Sequence, residues 1–247
     1  MEGGYDTGPM PPRSYLILDI ETVPDVALYS PPEVAMGQDR PFPPLWAHRP
    51  IVIGVLWLDE RYGFRRIGVL GEDKDEPAML ADLGKFCEEQ RPHLVTYNGR
   101  GFDLPVLQLR CLRHGVPMRF AFDKQFRYRF TDEGHMDLFD HLSDHGAAKV
   151  GSLDALAHLV GLPGKVGVDG SQVEGLYNAG QLALIKNYCL SDVTQTAFLL
   201  LRYRLLQGAL DLAEYRAVAS ALIDALSTDV RVQPVIERID RPRLLLA

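Results

Sequence analysis

Cysteine is scarce. Cys87, Cys111 and Cys189 are the only three in 247 residues, and no two of them form a CxxC pair. That excludes a disulfide framework and a zinc–thiolate centre, and it points to a reducing compartment, the cytoplasm. Long hydrophobic runs are missing as well. The longest apolar stretch, 51–58, has the length of a strand and falls far short of a bilayer span, so no membrane partner is expected. The opening residues MEGGYDTGPMPPR lack the basic and apolar regions of a secretory signal, and residues 1–13 read as a flexible tail. Positive charge is in deficit: 26 Lys and Arg against 33 Asp and Glu leave a formal net charge of −7. Such a balance argues against a strong, non-specific binder of polyanions. It does not argue against an enzyme whose metal site itself holds part of the acid.

What is present suits one sizeable α/β domain over 14–226 with a C-terminal extension over 227–247. Apolar, β-branched runs predict strands at 15–20, 51–58, 64–70 and 93–97. Helical spacing predicts helices at 76–90, 103–114, 152–160, 180–206 and 211–226. Asp103-Leu104-Pro105 fits a helix start, with the aspartate as cap and proline in the first turn. A proline-rich loop fills 24–50, and a connection that long in a compact domain is often functional. Val230, Val232 and Val235 alternate, which predicts an edge strand or an extended tail. Strands first and helices later imply a mixed sheet flanked by helices.

The chemistry begins at Asp19-Ile20-Glu21, where two carboxylates end an apolar strand. Alternate side chains of a strand share a face, so both acids point the same way. A buried carboxylate finds a cation or takes up a proton. Two further acids stand in comparable settings: Asp103, closing Tyr97-Asn98-Gly99-Arg100-Gly101-Phe102-Asp103, and Asp192, inside an apolar helix. Tyr188 lies four residues before Asp192 and therefore on the same helical face. Convergence of these acids without a cation is costly. Two charges ~4 Å apart repel by about 4 kcal/mol at an effective dielectric near 20. Two divalent metal ions, Mg2+ or Mn2+, reverse that balance, because hard oxygen ligands suit them and a carboxylate can bridge a pair. Such a centre activates water against a phosphodiester, and the Tyr188 phenol can orient that water or help deprotonate it.

In this order, DIET (19–22), YNGRGFDLPVL (97–107) and YCLSD (188–192) resemble the three motifs of DEDDy-type 3′–5′ exonucleases. The likeness is to the proofreading domain of family-B DNA polymerases and to stand-alone bacterial relatives predicted to share its activity. It spans about residues 14–206, including HMDLFD (135–140) and SLDALAHLVGLPGK (152–165). The histidine branch of that superfamily would place histidine five residues before the last aspartate, where this chain has Asn187. The resemblance implies an RNase H-like fold with a mixed central sheet of about five strands. It implies that Asp19, Glu21, Asp103 and Asp192 hold the metals and that Tyr188 positions the nucleophilic water. It also implies substrate contacts from Thr22, Asn98, Phe102 and Lys165. The expected substrate is the 3′ end of single-stranded nucleic acid, DNA before RNA. An exoribonuclease of the same chemistry and a catalytically silent nucleic-acid-binding domain are the alternatives.

Two other groups of residues invite a function. His135, Asp137, His141, Asp144 and His145 resemble a metal cluster, although no HExxH or cysteine pattern supports zinc and a polar helix face is the plainer reading. Residues 110–129 interleave Arg110, Arg113, Arg119, Lys124, Arg127 and Arg129 with Phe120, Phe122, Phe126 and Tyr128. That composition suits single-stranded nucleic acid, or equally a half-exposed hairpin whose aromatics are core. Gly164-Lys165-Val166-Gly167 lacks the spacing of a nucleotide-binding loop.

Overall fold

The computed structural model describes residues 13–33 and 41–247. All but the last residue of the expected N-terminal tail, and 34–40 of the proline-rich loop, lie outside that range. The elements run β1 (Tyr15–Pro24), β2 (His48–Leu58), β3 (Phe64–Val69), α1 (Glu76–Gln90), β4 (His93–Thr96), α2 (Asp103–His114), α3 (Lys124–Arg127) and β5 (His135–Asp137). There follow α4 (Leu138–Leu142), α5 (Leu153–Val160), α6 (Val173–Asn178), α7 (Leu182–Leu206), α8 (Leu212–Leu226), α9 (Gln233–Ile236) and α10 (Arg241–Leu245). Five strands form one mixed sheet in the order β3-β2-β1-β4-β5. β1 is antiparallel to β2 and parallel to β4. This is the α/β, RNase H-like arrangement expected, a mixed sheet covered by helices.

Both faces of β1 are buried, which is why its apolar run barely alternates. Ile17 packs with α5, α7 and α8 on one side. Leu16, Leu18 and Ile20 pack with α1 and α2 on the other. α7 carries buried residues on every side, from Ile185 to Arg204, as a helix enclosed between sheet and neighbouring helices must. Ser152 and Asp211 cap α5 and α8 through their side chains, so those helices open one residue later than the spacing suggests.

Three expectations need correction. β1 runs on to Pro24 because β2 keeps pairing with it as far as His48, so Asp19 and Glu21 sit within the strand and not at its end. The valines near the C-terminus belong to no strand. Val232 and Val235 are buried around the short α9, and Leu244 of α10 is buried in the same core as α7 and α8. Between α2 and β5 the chain makes a 3-10 turn and the four-residue α3 in place of a hairpin. Among the described residues, no helix is long and apolar enough to cross a membrane.

Candidate metal and catalytic site

The cleft exists because two parallel strands part. β1 and β4 pair only through Tyr15–Ile17, so the edge of β1 beyond that point is free of β4. The chain leaves β4 through Asn98, whose φ of 65° is left-handed, and turns into α2. A Cβ on Gly99 would lie 2.4 Å from the Thr96 hydroxyl oxygen, which explains the glycine at that tight turn. Asp137 clamps the turn by accepting from the Asn98 and Arg100 backbone N–H groups, each at 2.8 Å. The turn delivers Asp103 to the open edge, where its Oδ1 accepts the Ile20 N–H at 3.1 Å. A shift in β1–β2 register between Glu21 and Thr22 leaves Ile51 as the extra residue of β2, a bulge beside the acids.

On the face shared with Ile17, Asp19 and Glu21 look toward α7. Oxygens of both carboxylates and the Cys189 Sγ all lie within 4.8 Å of one another. Burial, and then repulsion from Asp103, Glu21 and Asp192, pushes the Asp19 carboxyl well above its ordinary range. Glu21 is raised in the same way by burial and then by Asp192 and Asp103. Asp103 and Asp192 are each raised to about 7, chiefly by burial. The four predicted acids thus form one electrostatic cluster, and among the described residues no guanidinium or ammonium is among the groups acting on Asp19 or Glu21. Closely spaced hard oxygens that resist ionisation together fit a divalent cation.

Tyr188 joins the cluster through a hydrogen bond between its hydroxyl and Asp192. Burial and the neighbouring acids hold the phenol far above its usual range, so it is a neutral hydrogen-bonding group and not a base. Lys165 is exposed, pairs with Asp169 and attracts Asp192 electrostatically. Thr22 Oγ1 lies 2.9 Å from His48 Nδ1. The His48 ring meets Phe102 edge-on at 5.0 Å, and Phe42, 74% exposed, stacks obliquely on both. Asn98 stands apart from the acids, exposed and lining a separate cavity with Arg100.

The remaining candidates do not form a metal centre. His135 is fully buried, bonded to Thr96 Oγ1 at 2.8 Å and stacked on Phe126. Asp137 is spent on backbone N–H groups, His141 faces Tyr203, and His145 faces Asp140. Among the described residues, only Asp19, Glu21 and Cys189 meet as a possible metal cluster. Cys189 escaped the sequence reading. Its Sγ lies 3.3 Å from Asp19 Oδ2, and its thiol is held neutral by burial and the adjacent acids, so it acts as a donor to Asp19. A soft sulfur is also a poor ligand for the metals that suit these oxygens. His48 and Phe42 were missed too, since neither stands in a motif.

Comparison with known proteins bears on the same elements. A family model described as a predicted 3′–5′ exonuclease related to the exonuclease domain of PolB matches residues 40–238. The match begins after β1, so it includes Asp103, Tyr188 and Asp192 but not Asp19 or Glu21. The family B DNA polymerase of the hyperthermophilic archaeon Pyrobaculum calidifontis superposes with a TM-score of 0.56 at 23% identity. The alignment takes in 94% of this chain but only 28% of the polymerase.

Proposed function

The chain belongs to the family of predicted 3′–5′ exonucleases related to the exonuclease domain of PolB, and from that membership we propose that it removes nucleotides from the 3′ end of single-stranded nucleic acid, DNA in preference to RNA. The observation that carries the proposal is the mutual repulsion of the buried Asp19, Glu21, Asp103 and Asp192, with the Tyr188 hydroxyl beside them and no cation among the described residues acting on Asp19 or Glu21. We read 14–226 as the catalytic unit and 227–247 as an extension packed against it.

Asp19, Glu21, Asp103 and Asp192 would hold two divalent ions, magnesium or manganese. Bound there, the ions supply Lewis acidity toward the phosphodiester and lower the pKa of water. The chain's own groups do the rest. The Ile20 N–H fixes the Asp103 rotamer, and the Cys189 thiol steadies Asp19. The neutral Tyr188 hydroxyl, anchored on Asp192, orients the attacking water. Phe102, backed by His48 and Phe42, offers an apolar face to the terminal base, and Thr22 borders that face. Lys165 reaches the phosphate side of the cluster, and Asn98 lies farther along the strand.

The test uses 5′-labelled single-stranded DNA and RNA of one sequence, each with manganese, magnesium or EDTA. A metal-dependent ladder shortening from the 3′ end, lost in Asp192→Ala, is expected, and faster on DNA. Intact substrate in every lane with manganese demonstrably bound would defeat the proposal.

A further inference from the structure

On the far side of the Asn98–Asp103 turn the surface changes character, from acids to arginines and exposed rings. A cavity of about 430 Å³ is lined by Asn98, Arg100, Gly101, Arg127 and Arg129, with Asp137 and Asp140. Both of these acids are already engaged. Asp137 accepts from the Asn98 and Arg100 backbone, and Asp140 accepts from Arg129 and faces His145 Nδ1 at 3.1 Å. Arg100 gives its Nη2 protons to the Phe126 and His135 carbonyls, at 3.2 and 3.0 Å. Its Nε is buried without a hydrogen-bond partner among the described residues and forms a long ion pair with Asp140 Oδ2 at 4.0 Å. Arg127 is exposed, with the Phe122 ring 5.3 Å from its guanidinium, and it makes no ion pair among the described residues. A second cavity, of about 220 Å³, joins Arg100 and Arg127 to Leu104 and Pro105, the turn of α2 that follows Asp103.

Three rings flank these cations, and all point to solvent: Phe122 is 63% exposed, Tyr128 59% and Phe130 61%. Tyr128 and Phe130 lie edge to face at 5.7 Å, and Arg129 covers Phe130 at 5.9 Å. Part of the basic–aromatic stretch is used inside the protein, while Arg119 and Lys124 stay exposed and Arg119 pairs with Glu88. Arg110 is buried between Asp25 and Glu76, and Phe126 is core. Over 127–130 the exposed side chains alternate guanidinium and ring, the pattern that a single strand of phosphates and unpaired bases calls for. A chain of net charge −7 also needs a local basic path to bring a polyanion to an acidic centre.

We propose that Arg100, Arg127 and Arg129, with Phe122, Tyr128 and Phe130, form a track that holds the single strand 5′ of the nucleotide being removed. The guanidinium groups contact its phosphates and the rings stack on its bases. The direction of the strand rests on the exonuclease reading; the affinity for single strands does not. Paired bases have no free face to stack, so the track favours single-stranded over duplex substrate.

The test compares the full chain with the triple variant Phe122→Ala, Arg127→Ala, Tyr128→Ala. All three side chains are exposed, and circular dichroism checks that the fold is kept. Fluorescence anisotropy in EDTA follows binding of a labelled 12-mer, and manganese then permits turnover of the 12-mer and of a dinucleotide. Stacking energies per base correspond to about 5- to 150-fold in affinity, so 12-mer binding should weaken at least about tenfold. The slope of log affinity against log salt should shrink by about 0.7 for the lost phosphate contact. The ratio of kcat/KM for 12-mer over dinucleotide should fall at least about tenfold as well, through KM. Affinity, salt slope and ratio all within about twofold of the parent would overturn the track. If the parent hydrolyses neither oligonucleotide while the variant still loses 12-mer affinity, the exonuclease reading fails and the track stands.

Discussion

Replacing Asp103 with asparagine separates the cost of a buried charge from the gain of a bound cation. In the metal-free protein this carboxyl titrates near 7 instead of 3.8, because burial strips its water. A carboxyl with a raised folded-state pKa holds its proton more tightly folded than unfolded. Its favourable contribution is therefore complete below the unfolded pKa, near 4, and is lost as pH rises through about 7. A shift of about three pH units corresponds to ~4 kcal/mol, an upper figure because protonation of one acid relieves its neighbours. Asparagine keeps an oxygen for the Ile20 N–H at 3.1 Å and discards the charge. In EDTA at pH 8, Asp103→Asn should be more stable than the parent by up to ~4 kcal/mol, roughly 5–15 °C in Tm. At pH 5 the gap should narrow to less than half, and it should close only below about pH 4, where the unfolded chain is protonated too. Millimolar manganese should raise the parent's Tm by mass action and the variant's far less. Thermal unfolding at both pH values, with EDTA or manganese, reads all of this. A variant less stable than the parent at pH 8 in EDTA would refute the view that this charge is held at a cost. An undiminished manganese response would remove Asp103 from the metal-holding set.

Tyr188→Phe should lower kcat by about 10²-fold, the order of the cost of misplacing a reacting group, with manganese affinity unchanged by calorimetry; an unaltered kcat would remove the hydroxyl from the reaction. Arg110→Ala should cost up to about 3–5 kcal/mol in urea unfolding, since it removes the buried guanidinium between Asp25 and Glu76 and leaves them only Arg113 and His114. Gly54 lies opposite Asp19 on β2, and a Cβ there would stand 2.5 Å from Cys189 Sγ. Gly54→Ala should therefore destabilise by about 1–3 kcal/mol and slow turnover, and adding Cys189→Ala should recover most of the loss. Equal defects in single and double variants would show that the thiol is not what the methyl meets.

The acids were legible in the sequence because they contradict their surroundings. A charge inside an apolar run needs a partner, whatever the fold. The helices at 76–90 and 103–114 were legible because their periodicity and first-turn residues agree. What escaped was decided by segments far away in the chain. The length of β1 depends on β2, about thirty residues on. β5 has three residues and α9 four, too short for any period to register. Arg110 shows why a buried charge alone does not identify a ligand site. It sits in an apolar helix as Asp192 does, and from sequence it belonged to a stretch that suited phosphate contact or, equally, a half-exposed hairpin. Its partners are Asp25 and Glu76, and its charge is met by the protein. Among the described residues Asp19 and Glu21 have no such answer: Lys165, the cation felt by Asp192, is exposed and paired with Asp169. Both cases announce a missing partner in the sequence. Only the packed structure shows that one partner is already inside the protein, while the acid cluster meets no cation among the described residues.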